Sequence, residues 1–211
     1  MMKSLHLLFL ITLVIPALAA EPTPGQKFQD LFNGNDLSGW TGEGYIVENG
    51  SIASTPAARY LTTEKTYTNY IIEFEFQLTP GANNGLGIHY PGTGDPAYTG
   101  MEIQILDSSA EKYKDLKAYQ FHGSLYTLQP AKQGALKPPG EWNHQRITVN
   151  GPQVTVEVNQ ITVLTANLDE LNLQYPTHEG AKRRSGHITF CGHGDRVLFR
   201  NIRIAELPSK P

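Results

Sequence analysis

Gly100-Met-Glu-Ile-Gln-Ile-Leu-Asp107 sets a carboxylate and a carboxamide two residues apart in an otherwise apolar run. Successive side chains of an extended chain alternate between faces, so Ile103 and Ile105 turn one way while Glu102 and Gln104 turn the other. With the isoleucines on a core, the acid and the amide line a surface or cleft. Asp107 then sits where the strand gives out. An acid beside an amide on a sheet face can take a proton and hold hydroxyl groups, which is the chemistry of a saccharide site.

Three more clusters carry groups of the same kind. In Gly85-Leu-Gly-Ile-His89-Tyr90, placing Ile88 in the core turns His89 toward the side of Glu102, provided the two runs pair in matching register. His89 could carry a proton there, or simply hydrogen-bond at a strand end. In Tyr119-Gln-Phe-His122-Gly-Ser124-Leu-Tyr126, alternation sets His122, Ser124 and Tyr126 on one face. An imidazole, a hydroxyl and an aromatic wall suit a pyranose with one polar edge and one apolar face, although a plain solvent-facing strand has the same pattern. His122 is the leading general acid or base on this reading. Gly192-His193-Gly194-Asp195-Arg196 lets His193 approach a ligand closely, and equally fits a tight turn. No second Cys and no close His spacing accompanies Cys191 to make a zinc site. Cys191 reads instead as a small core residue.

A conventional glycosidase needs two carboxyl groups roughly 5 to 9 Å apart across one bond. Glu102 and Asp107 are the obvious pair, but five positions on an uninterrupted strand put them on opposite faces, and only a turn after Leu106 would reunite them. Tyr90, Tyr98 and Tyr126 are the candidate sugar walls, whereas Trp40 and Trp142 read as core aromatics.

These groups need strands to hold them, and the rest of the chain supplies strand patterns. With 20 Gly, 14 Pro and 10 Tyr between short alternating runs, the pattern is all-β. Tyr70 to Leu78 is the clearest strand, with Tyr70, Ile72, Phe74, Phe76 and Leu78 on one face and a mostly wet face opposite. Asn150-Gly151 separates the runs 146–149 and 154–158 as a hairpin turn, and Asn159-Gln160 leads into 161–165, completing a three-strand meander. His187 to Phe190 and Val197 to Glu206 close the chain; the apolar residues of the last run change parity, which places a bulge within it or apolar contacts on both sides. Segments 44–52 and 59–62 are weaker strands, and a helical turn fits between Ser109 and Lys117. Segments 83–99, 108–140 and 168–185 are long for plain connections, and loops of that length are often functional.

Residues 1–20 combine Lys3, an apolar run from Leu5 to Ile15, Pro16 and Ala17-Leu-Ala-Ala20. This reads as a secretory signal peptide, since the run is short for a bilayer span. The expectation is an exported protein, periplasmic or extracellular, with no stable membrane insertion after cleavage. Residues 21–211 are expected to form one β-sandwich domain, because the remaining length of roughly 190 residues suits one core better than two. The net charge of -3 and scattered Lys and Arg exclude nucleic acid as an expected partner.

Phe28-Gln-Asp-Leu-Phe-Asn-Gly-Asn-Asp-Leu-Ser-Gly-Trp40, Leu136-Lys-Pro-Pro-Gly-Glu-Trp-Asn143 and Gly192-His-Gly-Asp-Arg-Val-Leu-Phe-Arg-Asn-Ile-Arg-Ile204, together with the Glu102 segment, resemble the 3-keto-disaccharide hydrolase family. The resemblance runs from about Phe28 to Leu207 in the same order and at similar spacing. It implies a two-sheet antiparallel jelly-roll sandwich of the concanavalin A type that cleaves 3-keto-glycosides. The family pattern is expected to carry Arg where this chain has His89, a departure at that position.

A keto group at C3 acidifies the C2 hydrogen, so the bond at C1 can break by elimination and water can add afterwards. The protein then supplies a base, a holder for the C3 oxygen and a proton for the leaving oxygen. The catalytic candidates are His122, Glu102, Asp107 and His193; the substrate-binding candidates are His89, Tyr90, Gln104, Ser124 and Tyr126. A bound divalent cation is an alternative enolate partner, with no metal ligands assigned. Two other classes remain open: a non-catalytic carbohydrate-binding module and a conventional two-carboxylate glycoside hydrolase.

Overall fold

The computed structural model describes residues 27–208; the expected signal peptide lies outside them. The strands are β1 (Gln29–Asp30), β2 (Trp40–Gly42), β3 (Tyr45–Glu48), β4 (Ser51–Ser54), β5 (Tyr60–Thr63), β6 (Tyr70–Leu78) and β7 (Asn83–Tyr90). They continue with β8 (Met101–Leu106), β9 (Trp142–Asn150), β10 (Gln153–Val158), β11 (Ile161–Asn167), β12 (His187–Cys191) and β13 (Val197–Glu206). One sheet runs β11-β10-β9-β6-β13-β4-β3 with β1 on β13, and the other runs β2-β5-β12-β7-β8. The strand pairs are antiparallel. This is the all-β sandwich anticipated from the sequence.

Alternation builds the core from both sheets. Tyr70, Ile72, Phe74, Phe76 and Leu78 of β6 face Leu86 and Ile88 of β7, Ile103 and Ile105 of β8, and Ile188 and Phe190 of β12, all buried. Phe190 joins the layers, with its ring 4.1 Å from Phe199 and 5.7 Å, edge to face, from Phe74. Each such side chain withdrawn from water contributes roughly 1.5–3 kcal/mol before its ordering entropy is subtracted. Trp40 packs in this core as expected, stacked on Phe190 at 5.6 Å with Nε1 donating to the Leu31 carbonyl.

The mixed parity of the last strand comes from a bulge. Arg200 pairs with Glu75 but Arg203 with Glu73, so one residue is extra, and Asn201 takes it up at φ 51°. Val197 and Phe199 therefore point inward before the bulge, and Ile202 and Ile204 after it. The meander of β9, β10 and β11 also forms as read, with Asn159 and Gln160 both in the left-handed region at its second turn.

Four local expectations are corrected. The far face of β6 is not wet: Ile71 is fully buried, and Glu73 meets Arg203 at 2.8 Å and Arg146 at 3.5 Å. Trp142 is not in the core but lies beneath the Arg200 guanidinium, 3.9 Å from its ring centre. Segment 83–99 is not a loop throughout, since its first half is β7, hydrogen-bonded to β12 and β8. Tyr119 to Tyr126 is not a strand, because a 3-10 turn over Ala118–Gln120 and the left-handed Gly123 break the extension. Only its end returns to the sheet, where Leu125 bridges Ile103 along the free edge of β8.

Candidate active site

The outer face of the five-stranded sheet has a floor without side chains where β7 carries Gly85 and Gly87. Opposite them in register stand Gln104 and Glu102 of β8. Met101, Ile103 and Ile105 turn into the core and leave Glu102, Gln104 and Leu106 on the outer face, as alternation requires. A Cβ at Gly85 would overlap the Glu102 carboxylate, and one at Gly87 would come within 2.6 Å of Thr189 Cγ2. Gly85 therefore lets the buried Glu102 carboxylate lie flat across a neighbouring strand, and Gly87 makes room for Thr189.

Beside these glycines, chain segments at the sheet margins wall Glu102 and Gln104 into a pocket of about 200 Å³. Asp95 caps the short helix α1 (Pro96–Thr99), accepting from Ala97 N at 3.0 Å, and the helix carries Tyr98 to the rim. The stretch 123–126 is pinned to the edge of β8, with Gln104 N donating to Ser124 O and Tyr126 N to Glu102 O, and this delivers the Tyr126 ring. His193 enters from the turn between β12 and β13. Asp195, two residues on, fixes that turn by accepting from Asn83 N through its carboxylate and from Ser54 Oγ through its carbonyl.

Glu102 Oε1 lies 3.6 Å from His193 Nε2, with the carboxylate buried and the imidazole half exposed. The separation is an ion-pair contact just beyond hydrogen-bond reach. Burial raises the Glu102 pKa above the ordinary carboxylate value, and His193 opposes the shift. Glu102 in turn raises the pKa of His193, against its own partial burial. Each group thus keeps its proton to a higher pH than it would free in water, Glu102 because it is buried and His193 because Glu102 stands beside it. Asn83 Oδ1, Glu102 Oε1 and Gln104 Oε1 are buried acceptors on this pocket with no hydrogen-bond donor from the protein.

The other sequence candidates go elsewhere. His89 does not face Glu102: its backbone is left-handed at φ 53°, and the pairing slips opposite it between His187 and Thr189. Its buried ring lies beside the backbone of Thr68 and Arg183, and burial, helped by the Arg184 charge, lowers its pKa to about 4. His122, Ser124 and Tyr126 do not share a face. Ser124 Oγ accepts from Ala131 N at 2.9 Å and donates to Ala118 O at 3.3 Å. His122 stacks on Phe76 at 5.2 Å and borders a different cavity, and burial lowers its pKa to about 3, which keeps the ring neutral. Asp107 braces a turn, accepting from Gly81 N, Ser109 N and Ser109 Oγ. Tyr90 stands further along the outer face near Tyr60, its hydroxyl donating to Gly94 O.

Asp95 and Asn83 did not stand out in the sequence. The Asp-Pro helix start at 95–96 was a legible signal for the first; Asn83 had none, because its place depends on the register of β7. Cys191 is buried, and burial together with the Glu102 charge raises its thiol pKa well above the ordinary value, so it is no nucleophile. Among the described residues no group of three or more His, Cys, Asp or Glu side chains converges to hold a metal ion. Among the same residues no helix is long and apolar enough to cross a membrane.

Comparison with known proteins places this arrangement in a family. A 3-keto-disaccharide hydrolase of Bacteroides thetaiotaomicron is 26% identical over 88% of this chain and 80% of its own length. A crystal structure from Parabacteroides distasonis, described as a candidate glycosyl hydrolase, superposes with a TM-score of 0.76 at 27% identity over 86% of this chain and all of that one. The carbohydrate-binding module CBM66 of Bacillus subtilis shares the fold at a TM-score of 0.55 and 10% identity, covering 80% of this chain and 96% of the module. The sequence pattern of the 3-keto-alpha-glucoside-1,2-lyase-like domain matches residues 27–205, and the chain belongs to that family.

Proposed function

We propose that the pocket lined by Glu102, Gln104 and His193 cleaves 3-keto-glycosides by elimination and hydration. The observation that carries this reading is the Glu102–His193 pair, a buried carboxylate of raised basicity in contact with a solvent-reaching imidazole. Glu102 takes the proton from C2, and the electron pair of that C–H bond passes into the adjacent carbonyl as an enolate on the C3 oxygen. The Gln104 and Asn83 carboxamides hold the C3 oxygen and the ring hydroxyls. The enolate then collapses and expels the oxygen at C1, leaving a C1–C2 double bond conjugated to the ketone. Protonated His193 gives its proton to the leaving oxygen. Water adds at C1 and a proton returns to C2, so that the net reaction is hydrolysis of one glycosidic bond.

The relatives support the substrate class through their own descriptions, a 3-keto-disaccharide hydrolase and a candidate glycosyl hydrolase. The leader-like residues 1–20 support a site of action outside the cytoplasm.

The test is turnover of a 3-keto-disaccharide carrying deuterium at C2. The proposal expects loss of that label to solvent and a primary isotope effect on cleavage, with no cleavage of the unoxidised disaccharide. Retention of the label through cleavage would rule out elimination. Binding without turnover across 3-keto-sugars would make the chain a binding module.

A further inference from the structure

The Glu102 pocket, at about 200 Å³, is smaller than the roughly 300–1,000 Å³ of sites for drug-sized ligands, so it takes one pyranose ring and leaves the other ring of a disaccharide outside. A second depression, of about 490 Å³, adjoins it and shares His193. The chain crosses between the two sheets twice here, through 55–59 from β4 to β5 and through 192–196 from β12 to β13. These connections are tied together: Gly192 N donates to Arg59 O at 2.6 Å, and a Cβ on Gly192 would come within 2.5 Å of Ala58 Cβ. Connection 55–59 is folded on Thr55, whose carbonyl accepts from Ala58 N and whose N–H and hydroxyl both donate to Gly44 O. Bonded chain therefore fixes the shape of the depression.

Its surface matches the two kinds of contact a sugar offers. Pro56 and Ala57 present apolar area to the C–H face of a ring, and the exposed Arg59 brings a fork of N–H donors for ring hydroxyl groups. No carboxylate among the described residues is paired with that guanidinium. A wider hollow of about 750 Å³, at Tyr60 and Tyr90, meets the depression at Arg59 but shares no lining residue with the Glu102 pocket. His193 selects between the two spaces. It stands on the boundary of pocket and depression, which is where the oxygen joining two rings must lie if His193 protonates it.

We propose that the depression between 56–59 and 192–194 is the subsite for the leaving sugar, with Arg59 donating to its hydroxyl groups. This rests on the reading above, in which Glu102 takes a proton from the keto ring and His193 gives one to the leaving oxygen. The ring on the Glu102 side of His193 is then the keto ring, and the ring beyond it departs. The substrate class is a 3-keto-glycoside whose leaving group is itself a sugar, since a small alkyl group would not reach Arg59.

The test compares Arg59→Ala with the unmutated full chain on two substrates that share the keto ring, a 3-keto-disaccharide with glucose as its leaving sugar and the methyl 3-keto-glucoside. Arg59 is exposed, so the variant should fold, and equal urea midpoints check this. In the variant, kcat/KM for the disaccharide should fall about fivefold, the worth of one hydrogen bond, while that for the methyl glycoside stays within about twofold. Equal losses for both substrates, or no loss for either, would overturn the proposal. Calorimetric titration with the unoxidised disaccharide and the unoxidised methyl glucoside reads the subsite without the chemistry. The disaccharide should bind more tightly, and its advantage should shrink about fivefold in Arg59→Ala. Where the unmutated protein cleaves neither 3-keto-glycoside, the cleavage reading fails and the titration decides: an Arg59-dependent advantage keeps the subsite for a second ring, and its absence overturns it.

Discussion

Glu102 is buried on the floor of its pocket, and the imidazole 3.6 Å away, that of His193, reaches the solvent at its mouth. Their environments differ, and so do the reasons for their shifts. Burial makes the carboxylate more basic, and the carboxylate makes the imidazole harder to deprotonate. If Glu102 is the base, Glu102→Gln should lower turnover of a 3-keto-disaccharide by about 10²–10⁴-fold while leaving its affinity within a few-fold. Steady-state kinetics with a direct binding measurement separates the two effects.

The same pair sets the pH profile. If Glu102 is the base, turnover needs it ionised, so activity should fall on the acid side at a pH above the ordinary carboxylate value. If His193 is the acid, turnover also needs it protonated, so activity should fall on the alkaline side at a pH above the ordinary imidazole value. Glu102 is the first cause of the His193 shift. The residual activity of Glu102→Gln should therefore show its alkaline limb displaced to lower pH. A limb that stays in place would separate His193 from Glu102.

Gly85→Ala tests the bare floor. Gly85 is not among the left-handed glycines, so its backbone accepts alanine, but the new Cβ would occupy the space of the Glu102 carboxylate. That carboxylate ends a flexible side chain and can move aside. The expected result is a small change in urea midpoint with a loss of turnover approaching that of Glu102→Gln. A variant that keeps full activity would show that Glu102 does not need its present position.

Parts of this architecture were legible in the sequence, for identifiable reasons. Side-chain parity is a local property of β8, so the residues of that strand alone put Glu102 and Gln104 on one face. The parity break in β13 likewise announced its bulge, although not that Asn201 would absorb it. His89 failed because one left-handed residue reverses the alternation beyond it, and neither Ile88 nor Tyr90 signals that. His122, Ser124 and Tyr126 failed because Gly123 breaks the extended chain there. His193 could be read only as a turn residue or a ligand group, since its closeness to Glu102 depends on how β12 lies against β7 and β8. Pairing across the sheet decides the site, and that information is spread over segments distant in sequence.

His122 predicts how stability depends on pH. Its pKa is lowered to about 3 by burial, from the ordinary 6.5. The folded state thus prefers the neutral ring, and the contribution is fully present above pH 6.5, the unfolded value, and is lost as pH falls from there toward 3. His89, lowered to about 4, acts in the same direction over a shorter window. Across that window the unfolded chain binds protons that the folded chain refuses, and each such group costs on the order of a few kcal/mol at the acid end. His122→Phe removes the titrating group while keeping a ring on Phe76, at the cost of leaving Leu106 N–H without its acceptor. The variant should be less stable than the unmutated protein at pH 7, yet its urea midpoint should fall less steeply between pH 6 and 4. Equal slopes in the two proteins would mean that His122 can be protonated without unfolding.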